Sequence, residues 1–197
     1  MTTRRERQRQ ENRDGILKAA LTIAELEGWP AVTIRRIADE IEYASPIIYQ
    51  HFSNKEAALQ ALMEQGYKAL ERTMREALQA EDPDQRLLDM GQAYLRFARD
   101  NLRVYELMNG LGGVSLDPHV RVAAAEGVVA LTTEAIRTWA DTRNAPLTDF
   151  LTASEIAWGV LHGMASLGML PDISFERAEQ LASNAMQALL YSWEVGL

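Results

Sequence analysis

The 197-residue chain has no cysteine, so it can build neither a disulfide framework nor a thiolate nucleophile or metal ligand. Only three histidines occur, and no two share a helix at metal-ligand spacing, which leaves no zinc site to expect. Long apolar runs are missing too: none reaches the roughly 18 residues that crossing a bilayer requires. Met1 to Arg13 is polar with no apolar segment behind it, unlike a signal peptide. A soluble, cytoplasmic protein with no membrane partner is the expectation. Catalytic signatures are equally scarce. There is no Gly-x-Ser-x-Gly elbow and no dinucleotide fingerprint, and Asn109-Gly110-Leu111-Gly112-Gly113 lacks the lysine and preceding strand of a phosphate-cradling loop. No catalytic residue, metal or cofactor is nominated, and an enzyme is not expected.

What is present begins with charge. The net charge of −8 argues against a nucleic-acid partner, but it hides an asymmetry. Residues 1–75 hold twelve Lys/Arg against eleven Asp/Glu, whereas residues 76–197 hold eight against seventeen. Within the first thirteen residues five Arg oppose two Glu, a basic arm that suits either a solvated tail or a segment contacting a DNA backbone. Phosphate binding depends on local cation placement more than on the total. Apolar residues make up 47%, ample for a core.

Helical periodicity runs through the whole chain. A first helix is expected from Asn12 to Glu27, with Ile16, Ala20, Ile23 and Ala24 inward and Gly28-Trp29-Pro30 as its stop. Thr33 to Leu59 then reads as two very short helices and the start of a third. Ile34, Ile37, Ala38 and Ile41 mark one buried face with Thr33 as cap; Ser45-Pro46 opens the next helix, which turns Ile48 and Phe52 inward. Glu42-Tyr43-Ala44 leaves the connection length of a helix-turn-helix. Ser53-Asn54-Lys55-Glu56 has capping-box spacing and starts a fourth helix reaching Glu81. Further helices are expected over 83–101, 102–108, 118–143, from the Thr152-x-x-Glu155 capping box to Pro171, and from Ser174 onward. The eighth is apolar nearly all round and rich in Gly and Ala, so other helices must cover it closely.

The string Thr33, Ile37-Ala38, Tyr49-x-His51-Phe52, Asn54-Lys55-Glu56 and Leu59, without gaps, resembles the operator-binding domain of the TetR/AcrR repressors over residues 11–60. Trp158-x-x-x-His162-Gly163 resembles one C-terminal variant of that family, over residues 85–193. Two departures stand out. Glu42 occupies a position where the family often has Gly, where a left-handed turn costs about 1–2 kcal/mol. Ala44 replaces a frequent Ser, so capping is expected to pass to Ser45.

The resemblance implies an all-α protein of about nine helices. A helix-turn-helix DNA-binding domain would span 1–55, with a flexible basic arm at 1–11, and an effector-binding and dimerisation domain 56–197. Ser45, Pro46, Ile47 and Gln50 lie on the face of the second short helix that enters the major groove, where Gln pairs with adenine and Ile or Pro meets a thymine methyl. Arg35 or Arg36 can reach guanine or phosphate, the resemblance favouring Arg35 for the base. Tyr49, His51 and Lys55 look like phosphate contacts, with packing as the competing role of Tyr49, His51 and Ile47, and capping that of Thr33.

The effector candidates are Tyr94, Phe97, Tyr105, Met108, Trp139, Trp158, His162 and Met164, although a Met or aromatic at helical spacing is more often core than pocket, and His162 is equally a hydrogen-bonded core residue. Dimer contacts are expected at Ala157, Gly159, Gly163, Leu167, Ala182, Ala185, Leu189 and Trp193. The expected protein is a repressor that binds a palindromic operator as a homodimer and is released by a small, largely apolar effector. The rival is a DNA-binding regulator whose C-terminal domain only dimerises or docks a protein. A helical enzyme or lipid carrier is a third reading.

Overall fold

The computed structural model describes residues 3–114 and 116–197. Among them all regular structure is helical, in nine α-helices and one 3₁₀ turn, as the periodicity implied. In order these are α1 (Arg4–Glu27), the 3₁₀ turn (Trp29–Ala31), α2 (Ile34–Glu40), α3 (Ser45–Tyr49), α4 (Lys55–Glu76) and α5 (Pro83–Asp100). Then follow α6 (Leu102–Asn109), α7 (Pro118–Arg143), α8 (Phe150–Gly168) and α9 (Phe175–Val195). The chain forms two compact units, one from residues up to Gly66 with Arg103–Ala124, the other from Tyr67–Leu102 with Ala125–Leu197. Two helices, α4 and α7, therefore run through both.

In the first unit α2 and α3, at seven and five residues, are too short to persist alone. They are held by burial of Ile37, Ala38, Ile48 and Phe52 in a core that also contains Ile16, Ala20, Ile23 and Ala24 of α1 and Leu59 of α4. Gly28, at φ 84°, releases the chain from α1. Trp29 is fully buried, and its indole N–H donates to the Arg103 carbonyl at 3.0 Å. Gly66 lets α6 come close, since a Cβ there would lie 2.6 Å from Val104 Cγ1 and 2.8 Å from Met108 Sδ. These two contacts explain why α6 belongs to this unit.

In the second unit α5 packs on α8 and α9, which also pack on each other. Asp82 caps α5, accepting from the Gln85 N–H at 2.9 Å, with Pro83 at the first position. Asp84 then ties α5 to α7. It accepts from the buried Trp139 indole N–H at 2.6 Å and from Arg143 Nε and Nη2 at 3.0 and 2.5 Å. Trp139 also meets the Trp193 ring edge-on, at 6.2 Å between centroids.

Several boundaries differ from the expectation. α1 starts at Arg4 rather than Asn12, because Thr3 and Glu6 form a reciprocal capping box; residues 4–11 are helical and exposed, not a flexible arm. α4 stops at Glu76 rather than Glu81, giving way to tight turns closed by Ala77 and Leu78 N–H groups. The cap position of α3 is Ala44, with no side-chain bond, so Ser45 does not cap. Asn54, not Ser53, caps α4, its Oδ1 accepting from Ala57 N–H at 2.8 Å. Asp149, not Thr152, caps α8 by accepting from the Thr152 N–H and hydroxyl.

Replacing Asp84 with Ala leaves the buried Trp139 indole N–H without its acceptor and Arg143 with only Asp82, at 3.3 Å. The expected loss is about 2 kcal/mol of unfolding free energy, read as a lower urea midpoint, with Asp84→Asn losing less because its carbonyl still accepts.

Candidate nucleic-acid interface

The tight connection between α2 and α3 turns on Glu42, whose φ of 55° is left-handed, and closes with Tyr43 N–H donating to the Ala38 carbonyl at 2.9 Å. With Ile37, Ala38, Ile48 and Phe52 buried beneath, the opposite side of the pair faces solvent. Pro46, Tyr49 and Gln50 are exposed on it, Tyr49 to 56%, while Ser45, Ile47 and His51 are half-buried. α3 thus presents a continuous surface from its N-terminus to the residue past its end, built from a Gln amide, a phenol, an imidazole and small apolar groups.

On α2, Thr33 is exposed and its Oγ1 accepts from the Arg36 N–H at 3.2 Å, so its capping role is visible. Arg35 extends freely, its side chain 90% exposed and only loosely opposed by Asp39 at 4.0 Å. Arg36 does not extend outward. Both of its terminal nitrogens engage the Glu27 carboxylate, raising its pKa and lowering that of Glu27, so in the free protein Arg36 is paired where Arg35 extends. Lys55 is half-buried at the start of α4 and donates to the Trp29 carbonyl at 3.4 Å, with further N–H donors to spare. His51 has its pKa lowered, first by burial and then by the positive charges of Arg9 and Arg13. Arg9 and Arg13 lay outside the sequence-derived set; the signal for them was the basic run itself.

The eight effector candidates do not converge. Tyr94 and Trp158 line one apolar cleft of the second unit, together with Met74, Met90, Met186 and Leu161. Its volume is about 50 Å³, well below the roughly 300 Å³ of ordinary ligand pockets. Trp139 borders a separate, open groove of about 480 Å³ among α4, α5 and α7. Phe97 and Met164 line neither. Tyr105 and Met108 belong to the first unit, where Met108 packs against Gly66. His162 stacks on Trp158, with ring centroids 5.2 Å apart and planes 14° from parallel, and burial lowers its pKa.

The dimerisation candidates split in two. Ala157, Ala182 and Trp193 are buried in the second unit's own core and present no surface to a partner. Gly159 and Leu167 are exposed, and Gly163, Ala185 and Leu189 half-buried. Cβ atoms at Gly159 or Gly163 would meet nothing within 4 Å, so open space lies over that side of α8. Ile156, three residues before Gly159, extends the same exposed apolar stripe, and Tyr191 is exposed on α9. Among the described residues no cluster of His, Cys, Asp or Glu could hold a metal, and no helix is long and apolar enough to cross a membrane.

Comparison with known proteins agrees with this geometry. Residues 16–62 match the family model of bacterial regulatory proteins of the tetR family, and residues 87–189 that of the tetracyclin repressor-like C-terminal domain. No curated protein matches the chain. Among solved structures, the TetR family transcriptional regulator PfmR from Thermus thermophilus is similar at 23% identity and TM-score 0.69, over 89% of this chain and 97% of PfmR. The fatty acid degradation regulator FadR from Bacillus halodurans is similar at 18% identity and TM-score 0.74, over 90% and 94% of the two chains. A protein of unknown function from Rhodococcus sp. RHA1 reaches TM-score 0.79 at 21% identity, over 92% and 95%. At these identities the likeness speaks for the fold.

The left-handed Glu42 gives the interface a measurable signature. Glu42→Gly removes a backbone cost of about 1–2 kcal/mol, partly offset by glycine's larger unfolded-state entropy. A net gain of up to about 1 kcal/mol is expected in urea unfolding, and Glu42→Ala, which keeps a Cβ in the same conformation, should give none.

Proposed function

Because the chain belongs to the tetR family of bacterial regulatory proteins, we propose that it is a repressor that binds a palindromic operator as a homodimer. The observation that carries this reading is the division of α3: Ile48 is buried under the helix while Pro46, Tyr49 and Gln50 stand clear of the protein. Gln50 and Ile47 read base edges, Gln50 by pairing with adenine and Ile47 by contact with a thymine methyl. Arg35 reaches a guanine or a phosphate, while Tyr49, His51 and Lys55 fix the register on the backbone. Two copies joined through the exposed stripe of α8 and α9 place their recognition helices about one turn of DNA apart. Such a protein works where the DNA is, in the cytoplasm.

A small, largely apolar effector releases the operator in this reading. Its site is the cleft bounded by Tyr94, Trp158 and three methionines, whose flexible side chains can repack around a guest. It acts only through different affinity for the operator-competent and incompetent states. The cleft's lining includes Met74 of α4 and Val128 of α7, the two helices that also carry residues of the first unit. The small volume of the same cleft favours a second reading, in which no inducer exists and the C-terminal domain only dimerises or docks a protein.

The purified protein is expected to sediment as a dimer and to select an inverted repeat from random duplexes. Gln50→Ala should lose about 1–3 kcal/mol of discrimination at one position of each half-site. Tyr49→Phe with Lys55→Ala should weaken binding to all sequences alike and flatten its salt dependence. A monomer that stays monomeric on its best duplex, or a double variant with unchanged affinity and salt slope, overturns the reading. A screen of apolar ligands that release the operator separates the two roles of the C-terminal domain.

A further inference from the structure

The first two turns of α1 bury nothing. Residues 4–11 are exposed throughout, yet they are helical and deliberately stopped at one end by the Thr3–Glu6 capping box. The acidic groups on this segment and just after it are partly occupied. Glu6 serves the cap, which lowers its pKa, and Asp14 accepts from Gln10 at 2.8 Å. The arginines are not so engaged: among the described residues neither Arg9 nor Arg13 forms an ion pair. Four residues apart, they lie one above the other on a single side of α1.

That side faces the end of the recognition helix. The Arg13 guanidinium lies over the Phe52 ring at 4.4 Å from its centroid, and Asn12 Oδ1 accepts from the Tyr43 hydroxyl at 3.4 Å. A cleft of about 290 Å³ opens here, lined by Arg13, His51, Ser53 and the first turns of α4. We propose that Arg9, Arg13 and His51 form an additional seat for a DNA backbone phosphate, which makes the helical extension of α1 part of the operator-binding surface. This rests on the DNA-binding reading above and extends it to α1, outside the helix-turn-helix.

The seat has a chemical consequence. Partial burial first, and then the positive charges of Arg9 and Arg13, lower the pKa of the His51 imidazole in the free protein. The remaining ionisable group on the cleft wall is Glu64, whose Oε1 accepts from Gln60 at 3.0 Å. A phosphate seated against both arginines and His51 offsets part of their positive field at the imidazole and favours the imidazolium over that in the free protein, so binding takes up a proton. With the pKa lowered in the free protein and higher in the complex, affinity rises as pH falls through the bound-state pKa and levels off below the free-state one.

The test measures affinity of the full-length dimer for its selected inverted-repeat duplex against salt concentration, at two pH values. Arg9→Ala should reduce the slope of log affinity against log salt by about 2, one phosphate per protomer. Arg9→Lys should restore it, and Arg13→Gln should act like Arg9→Ala. His51→Gln should abolish the excess affinity of wild type at pH 6 over pH 7.5. Because Arg9 is exposed, its variants keep the fold, which circular dichroism checks for each protein; Arg72→Ala, in the second unit, should leave the slope unchanged. If wild type binds while Arg9→Ala and Arg13→Gln keep its slope, the seat is overturned and the DNA-binding reading survives. If wild type binds no duplex, both fall.

Discussion

Burial of Ile37, Ala38, Ile48 and Phe52 against the inner faces of α1 and α4 is the contact on which the rest depends. Neither α2 nor α3 has the length to hold its shape unaided, so their orientation exists only because these side chains leave water. Once that face is fixed, the other face is fixed as well, and Tyr49, Gln50 and Arg35 have nowhere to go but outward. The turn at Glu42 is forced by the same packing, which holds a non-glycine residue in a left-handed conformation. Local preference yields there to the buried contacts on either side.

Much of this was legible in the residues. Ile34, Ile37, Ala38 and Ile41 at helical spacing, the Ser45-Pro46 opening and the Tyr49-x-His51-Phe52 string located α2, α3 and their exposed side. The start of α1 was missed because Arg4–Glu11 has no apolar residue to carry a period, although Thr3-x-x-Glu6 has the capping-box spacing that sets it. Arg36 looked like its neighbour Arg35 in the sequence, and only the fold brings Glu27 to it. Which apolar side of α8 and α9 faces the unit's own core was equally hidden. Ala157, Ala182 and Trp193 obey the same periodicity as an interface would, and the period does not say what lies opposite.

Affiliation of α6 with the first unit depends on two details with weak sequence signals. Gly66 in mid-helix reads as a cost until Val104 and Met108 are seen to need its missing side chain, and the buried Trp29 indole finds its acceptor in the Arg103 carbonyl. As a result Tyr105 and Met108, which share the composition of a pocket lining, serve as core of the DNA-binding half. The second unit has a comparable hub in Asp84, where one carboxylate satisfies an indole and a guanidinium from α7.

Charge follows the same logic as packing: position decides, not the total. An acidic chain can still present a basic surface if its carboxylates are occupied or placed elsewhere, and here seventeen of them lie beyond residue 75. Near the recognition helix, Glu27 pairs with Arg36 and Glu6 closes a helix cap, which leaves Arg9 and Arg13 without an ion pair among the described residues and Arg35 only loosely opposed by Asp39. Within about a Debye length, roughly 8–10 Å, a phosphate senses these groups and little of the acidity farther along the chain. A net charge of −8 is then no obstacle to DNA; it disfavours indiscriminate adhesion to nucleic acid and leaves attraction to the one face that carries the reading residues.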